Sequence, residues 1–233
     1  MHQTKKAVLY TEIIYFLALA LLAVGTALTV YGDLGISMVV APAYILHLKL
    51  SQFFPFFTFG VAGYTLQAVV LIVMMLLLRK AKLIYLLSFG TAVVYGSALD
   101  GAMLLIGFLP ENPYLQILLY IVGTVLCCAA LALLFAAYFP PEAYELCVKE
   151  LSAKLNKPVH IVKTVYDCCS LAVSVVLSLS FFGTIRGIGI GTVICAFLYG
   201  VLIRTFQKLY DRYFLFADKF PLRKYFEESE MTT

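Results

Sequence analysis

From Tyr10 the chain runs apolar for about 20 residues, breaks at a polar, glycine-bearing stretch, YGDLGIS, and turns apolar again. Long apolar runs separated by short polar breaks continue to Phe206. A helix needs ~20 mostly apolar residues to cross a bilayer. Six segments meet that length: Tyr10 to Tyr31, Phe57 to Leu78, Leu83 to Leu109, Tyr114 to Tyr138, Val159 to Phe182 and Ile188 to Phe206. The first follows Lys5 and Lys6, as the core of a signal peptide would, but its apolar stretch exceeds the usual ~7–15 residues of such a core. It is expected to stay as an anchor.

Two linking segments are too polar or too short to span: SMVVAPAYILHLKL, residues 37–50, and PPEAYELCVKELSAKLNKP, residues 140–158. The second carries Tyr144, Val148, Leu151 and Leu155 at helical spacing, with Glu145, Lys149, Glu150 and Lys154 around the rest of the turn. Pro140 and Pro141 suit a helix start and Pro158 a stop. The segment predicts an amphipathic helix at the interface.

Composition agrees. The 233 residues are 63% hydrophobic and 13% charged, and mean hydropathy is +0.96. Soluble domains carry about twice that share of charge. A net charge of +4 does not point to nucleic acid, because the basic residues cluster at the ends of apolar runs. With six spans, the N-terminus, the second and fourth loops and the C-terminus share a side and hold 15 of the 17 Lys and Arg residues. Lys49 and Arg186 are the two on the other side. Both termini are therefore expected in the cytoplasm.

The spans also repeat. VGTALTVYGDLGISMVVAPAYILHLKLS begins at Val24, and VGTVLCCAALALLFAAYFPPEAYELCVKELS at Val122. Both open V-G-T and reach A-Y-x-L about 20 residues on, at Ala43, Tyr44 and Leu46 and at Ala143, Tyr144 and Leu146. FGTAVVYG from Phe89 faces IGTVICAFLYG from Ile190. Each half has the order span, break, short helix, span, span. Three spans are an odd number, so the second half inserts upside down. The expected fold is an all-α polytopic membrane protein of six transmembrane helices in two inverted-topology three-helix repeats, residues 10–109 and 114–206, each with an added short interfacial or broken helix. Residues 207–233 form a cytoplasmic tail.

The break in the first repeat holds Gly32, Asp33, Gly35 and Ser37, with Asp33 or Ser37 able to cap a helix end. It is either a helix end at the membrane surface or a discontinuous helix aiming backbone dipoles at a solute. The cluster GTIRGIGIGT joins spans five and six and contains Arg186, Gly187, Gly189 and Gly191. It reads either as a tight turn with close helix packing or as backbone lining a cavity, with Arg186 at the mouth.

YGDLGIS after a first span, RKAKLIYLLSFGTAVVYGSALD, PPEAYELCVKELSAKLN, KTVYDCC and GIGIGTVICAFLYGVLIRTF together resemble the YczE/YyaS/YitT family of bacterial integral membrane proteins, over residues 10–210. The YczE-like branch fits, since the soluble C-terminal domain of the YitT branch is not present in this sequence. The resemblance implies a multi-pass permease of the bacterial cytoplasmic membrane, with no catalytic residues to carry over.

Ionisable groups inside a bilayer are costly and mark function. Asp100, in YGSALDGAM, and Asp167, in KTVYDCC, each lie about 12–15 Å inside opposite surfaces at 1.5 Å per residue. Lys163 stands one turn from Asp167 and can neutralise it, whereas Arg186 or Arg204 would have to reach Asp100 in space. Gln67, Tyr64 and Tyr166 add hydrogen-bonding groups. These residues, with Asp33 and Arg186, are the candidates for binding a solute or a proton; Gly32, Gly35, Gly187, Gly189 and Gly191 are the candidate breaks and hinges. His2, His47 and His160 share no metal-ligand spacing, the six cysteines form no C-x-x-C pair and read as small buried hydrophobes, and no H-E-x-x-H, G-x-S-x-G or Walker pattern occurs. The expectation is a secondary transporter of a small solute with no cofactor, no metal and no enzymatic activity. The alternative is a non-transporting partner or solute-capturing subunit of a larger complex. Beyond the lipid bilayer and the solute, Gly60, Gly63 and Gly96 offer small faces for a homo-oligomer or partner subunit.

Overall fold

The computed structural model describes residues 7–80, 82–110 and 112–218. His2, Lys5, Lys6, Lys219, Arg223 and Lys224 lie outside the described residues. Among the described residues eight helices follow in order: α1 Thr11–Tyr31, α2 Ala41–Leu50, α3 Phe59–Leu78, α4 Leu83–Ile106, α5 Pro113–Ala136, α6 Ala143–Leu155, α7 Val159–Phe182 and α8 Ile190–Tyr213. Six of them, α1, α3, α4, α5, α7 and α8, are long and apolar enough to cross a membrane. The chain is a multi-pass helical membrane protein.

Local chemistry sets the ends. Thr58 caps α3 by accepting from Val61 N at 3.2 Å, and Asn112 caps α5 by accepting from Tyr114 N at 2.9 Å, with Pro113 at the first helical position. Asn156 ends α6 in the left-handed region at φ 50°. α8 continues to Tyr213, one to two turns past the expected end at Phe206, and so takes up part of the expected tail. An element not expected from the sequence follows. Phe214–Ala217 (β2) pairs in parallel with Ala7–Tyr10 (β1), tying the foot of α8 to the foot of α1.

α1 and α5 form the centre and run antiparallel. Gly25 meets Gly123 and Cys127, while Gly32, further along α1, meets Tyr120, further back on α5. A Cβ at Gly25 would lie 2.7 Å from Cys127 Sγ, and one at Gly123 2.7 Å from Gly25 O. The glycines of the two V-G-T triplets thus bring the backbones into contact. α4 packs on α1, and α8 on α5; α2 lies between α3 and α7, and α6 packs on α3, α4 and α7. The buried face of α6 is Tyr144, Leu146, Cys147 and Val148, whereas Leu155, expected on that face, is 57% exposed. The shift has a packing cause: α6 is wedged among three helices and so buries a wider arc than one apolar stripe.

Lys49 and Arg186, the two cations assigned to one side of the membrane, both sit over Phe182, at 5.9 and 4.8 Å from its ring centre. Lys82 and Glu150, from the second and fourth loops, pair at 3.1 Å. The grouping of loops by side therefore matches the spatial ends of the molecule. Four cysteines are buried, but Cys168 and Cys169 are exposed on α7, contrary to the expectation for all six.

Candidate functional site

Both helix breaks carry backbone groups that lipid could not satisfy. The second break is held by α4: Ser88 Oγ donates to Pro141 O at 2.6 Å, and Thr91 Oγ1 to Pro140 O at 3.3 Å. The first break is held by α7, where Ser170 Oγ donates to Met38 O at 2.8 Å, and by the glycine cluster before α8. Ile36 N donates to Gly187 O at 3.0 Å and Gly191 N to Leu34 O at 2.8 Å. This seam explains the glycines. Gly35 adopts φ 109°, and a Cβ there would sit 2.5 Å from both Gly189 N and Thr192 Oγ1. Gly189 and Gly191 abut Leu34 O, Gly187 abuts Tyr44, and Gly32 packs on Tyr120. At each of these five glycines a Cβ would press on a neighbouring segment.

Two sequence expectations change here. Asp33 is exposed in the left-handed region at φ 49°, and no hydrogen bond to its carboxylate is present among the described residues. Ser37 starts α2 through its carbonyl, which accepts from Val40 N and Ala41 N, rather than through its hydroxyl.

Inside the seam lies a cavity of about 500 Å³. It exists because α7 and α8 make at most glancing contact among the described residues. Its wall runs along α8 from Thr192 to Gln207, about 22 Å at 1.5 Å per residue. α1 contributes Tyr15 and Thr26, α4 Tyr95, and α5 Cys127. Both breaks reach it, the first through Ser37 to Val40 and the second through Pro141 and Glu142. Thr26 Oγ1 and Tyr95 OH hydrogen-bond at 2.9 Å, and Tyr120 OH and Cys195 Sγ at 3.1 Å, which fixes the polar groups of the wall.

The charged groups gather at α6 and α7. Lys163 Nζ is 3.4 Å from Glu145 Oε1 and 3.8 Å from Asp167 Oδ1. The expected Lys163–Asp167 pair is therefore present, with Glu145 as a third member. Gln67, 1% exposed, backs this cluster from α3. Its Nε2 donates to Glu142 Oε2 at 3.2 Å, and its Oε1 accepts from Ala143 N at 3.0 Å. Gln67 thus positions the start of α6 and one carboxyl oxygen of Glu142. Burial pushes the Glu142 carboxyl up to about 8, aided by the negative charge of Glu145 and opposed by the Gln67 hydrogen bond and Lys163.

Asp100 stands apart from this cavity. Its carboxylate accepts from Thr58 Oγ1 at 2.6 Å and from Gly60 N at 2.7 Å, at the N-terminus of α3. Neither Arg186 nor Arg204 is its partner. The helix N-terminus supplies the compensation instead. Beside it Gly60 and Gly96 press backbone on backbone, and Tyr64 packs on Gly96. These glycines serve contact within the chain; Gly63 faces open space. Arg186 is exposed at the outer edge of the seam, and Tyr166 packs beside Tyr144 at 6.3 Å between ring centres.

Of the sequence candidates, then, Lys163 and Asp167 line the cavity, Gln67 supports it and the glycines close it. Glu142 and Arg204, both on the wall, were missed as solute-binding candidates. One signal for Glu142 was present, an acid within PPEAY, the counterpart of the first break. Another for Arg204 was its place four residues after Tyr199-Gly200, where Asp100 follows Tyr95-Gly96 by the same step.

Comparison with curated proteins and with solved structures gives no match. The model of one protein family matches residues 9–208, from the foot of α1 to near the end of α8, and so takes in both breaks and the whole cavity wall. The chain belongs to that family, the family of unknown function DUF6198.

Proposed function

We propose that this protein is a small-solute secondary transporter, a permease of the bacterial cytoplasmic membrane with both termini in the cytoplasm, and that the solute occupies the cavity between α7 and α8. The carrying observation is that two helix breaks, from opposite halves of the chain, converge on one charged cavity. Discontinuous helices around a central site are the usual construction of such transporters. The resemblance to the YczE-like branch is consistent with it.

The proposal includes an inverted repeat. α1 with α4 corresponds to α5 with α8, α2 with α3 to α6 with α7, and α2 with α7 to α6 with α3. Gly25 against Gly123 is a contact between equivalent positions, as a two-fold axis requires. In this reading the cavity opens towards the end bearing Arg204 and Gln207, and the glycine seam shuts the opposite end. Alternating access then exchanges the open pair of one half for the closed pair of the other.

The test uses Gly200, which lines the cavity and where an added Cβ meets nothing within 4 Å. Proteoliposomes are offered a panel of amino acids, amines, sugars and nucleosides, and uptake is read by mass spectrometry. Gly200→Phe abolishes uptake, whereas Gly101→Phe, on α4 outside the cavity and equally unobstructed, leaves it intact. Uptake no greater than in protein-free vesicles, or equal in the two variants, rejects the reading. The alternative, a partner subunit, draws on the sparse packing of α7, which among the described residues contacts only α2 and α6 substantially. A stable companion in a mild-detergent pull-down, with no uptake by the purified chain, would favour it.

A further inference from the structure

The charges on the cavity wall do not balance. Five side chains there carry a formal charge near neutral pH, apart from any shift: Glu142 and Glu145 from the start of α6, Lys163 and Asp167 from α7, and Arg204 from α8. Lys163 is shared by Glu145 and Asp167. Arg204 is exposed at the cavity mouth, in no ion pair among the described residues. The Glu142 carboxyl has one hydrogen bond, from the neutral Gln67 amide, and no cation within ion-pair distance among the described residues. With Glu142 protonated, two carboxylates face two cations. With Glu142 ionised, one negative charge is in excess, and one monovalent cation would cancel it.

The rest of the wall says which kind of cation. Tyr15, Tyr95, Phe139, Tyr144 and Tyr199 line the cavity, and Tyr15 and Phe139 stack at 4.7 Å. Aromatic faces attract cations that have shed water. A divalent metal takes several hard ligands close together, and no group of three or more His, Cys, Asp or Glu side chains suited to one occurs among the described residues. A volume of about 500 Å³ is the size of an organic ligand site.

We infer that the cavity binds a monovalent organic cation with apolar or aromatic substituents, seated at Glu142 in exchange for one proton. The inference deepens the transporter reading and rests on it for flux, though not for binding. The exchange balances: the O–H bond of the Glu142 carboxyl breaks, the proton leaves to water, and the carboxylate pairs with the incoming cation. Charge is unchanged across the step. Groups facing Glu142 around the cavity are Glu145 on its own helix, Gln67 of α3, Lys163 and Asp167 of α7, Tyr15 of α1, Tyr95 of α4 and Arg204 of α8. Burial and Glu145 keep the empty site protonated at neutral pH, since they hold the carboxyl up at about 8.

The probe is benzyltrimethylammonium, whose charge is fixed, so that it cannot carry protons as a free base. Calorimetric titration of the purified full chain at pH 7, in two buffers of different ionisation enthalpy, should show release of about 0.9 proton per cation bound, falling to about 0.1 at pH 9. Glu142→Gln, close in shape, should bind at least tenfold more weakly and release none; Glu142→Asp should restore release. Should Glu142→Gln fail to fold, the pH 7 against pH 9 comparison on the unaltered chain decides. Binding without proton release at pH 7, undiminished binding by a folded Glu142→Gln, no binding at all, or equal competition by Na⁺ or K⁺ overturns the inference. In proteoliposomes holding a pH dye, an inward benzyltrimethylammonium gradient should make the lumen alkaline, unaffected by a clamped membrane potential. Binding with proton release but no lumen response rejects transport and leaves the site standing. Uptake of panel solutes without cation binding rejects the site and leaves transport standing.

Discussion

The α3–α4 pair and the α7–α8 pair hold the same places in the order of elements, one in each half of the chain. In the first, Gly60 and Gly96 bring two backbones together, and Asp100 fastens α4 to the N-terminus of α3. In the second, the residue a hundred places after Gly60 is His160, and Arg204 takes the step from Tyr199-Gly200 that Asp100 takes from Tyr95-Gly96. The helices part there, and Gly200, instead of receiving a neighbour, faces the cavity. Small residues let two helix backbones approach closely, and here a glycine on each helix and a compensated polar group coincide at the crossing. The α7–α8 pair has neither, and there the same helical frame leaves a gap. One half is thus a closed wall and the other a chamber.

Four experiments break or sharpen this contrast. The largest effect belongs to Gly60→Leu. An added Cβ would overlap the Gly96 carbonyl and lie 2.6 Å from Asp100 Oδ2. Overpacking of this kind costs about 3 kcal/mol, so thermal unfolding in detergent should show a large drop in midpoint or loss of the folded species. Asp100→Asn comes next. The carboxylate accepts through both oxygens, whereas the Asn amide offers one, so a charge-assisted bond is lost at about 1–3 kcal/mol. The cation binding predicted above should be unaffected, because Asp100 is not on the cavity wall.

Third is a pH effect. The Glu142 carboxyl is raised from 4.5 to about 8 in the folded protein. Its protonated form is therefore favoured by folding, and the stability it contributes is whole below about pH 4.5 and is lost as pH rises through about 8. Unfolding midpoints should decline across that window, and Glu142→Gln should flatten the decline by the share of one proton. The smallest effect on stability is that of Gly200→Phe, within about 0.5 kcal/mol since it displaces nothing. Yet it should stop uptake. Gly60 and Gly200 would then differ in kind: one glycine matters for what it touches, the other for the space it leaves.

Much of the frame was legible in advance. The six spans and both breaks follow from apolar run length and from glycine and proline placement, and the short helices at Ala41–Leu50 and Ala143–Leu155 fall within the linking segments that predicted them. The Lys163–Asp167 pair was legible because a helical turn places residues four apart on one face. The place of Asp100 at the N-terminus of α3, away from the cavity wall, was not legible. Nothing in YGSALDGAM tells that the start of α3 lies beside it. Glu142 was overlooked because an acid next to a surface helix ordinarily belongs to solvent, and its enclosure depends on Gln67, 75 residues earlier.

By itself the sequence determined the multi-pass membrane class, the number of spans, the positions of the breaks and which charged loops share an end of the molecule. These are local properties: hydrophobic run length, backbone permissiveness and charge at run ends act within a few turns of chain. Only the tertiary structure decided that YGDLGIS pairs with GIGIGT through backbone hydrogen bonds, that α3 and α4 close while α7 and α8 part, and that the Glu142 carboxyl faces a cavity with a neutral amide as its one hydrogen-bond partner among the described residues. Each of those joins residues far apart in sequence, and a burial or a hydrogen bond has no energy until both partners are in place.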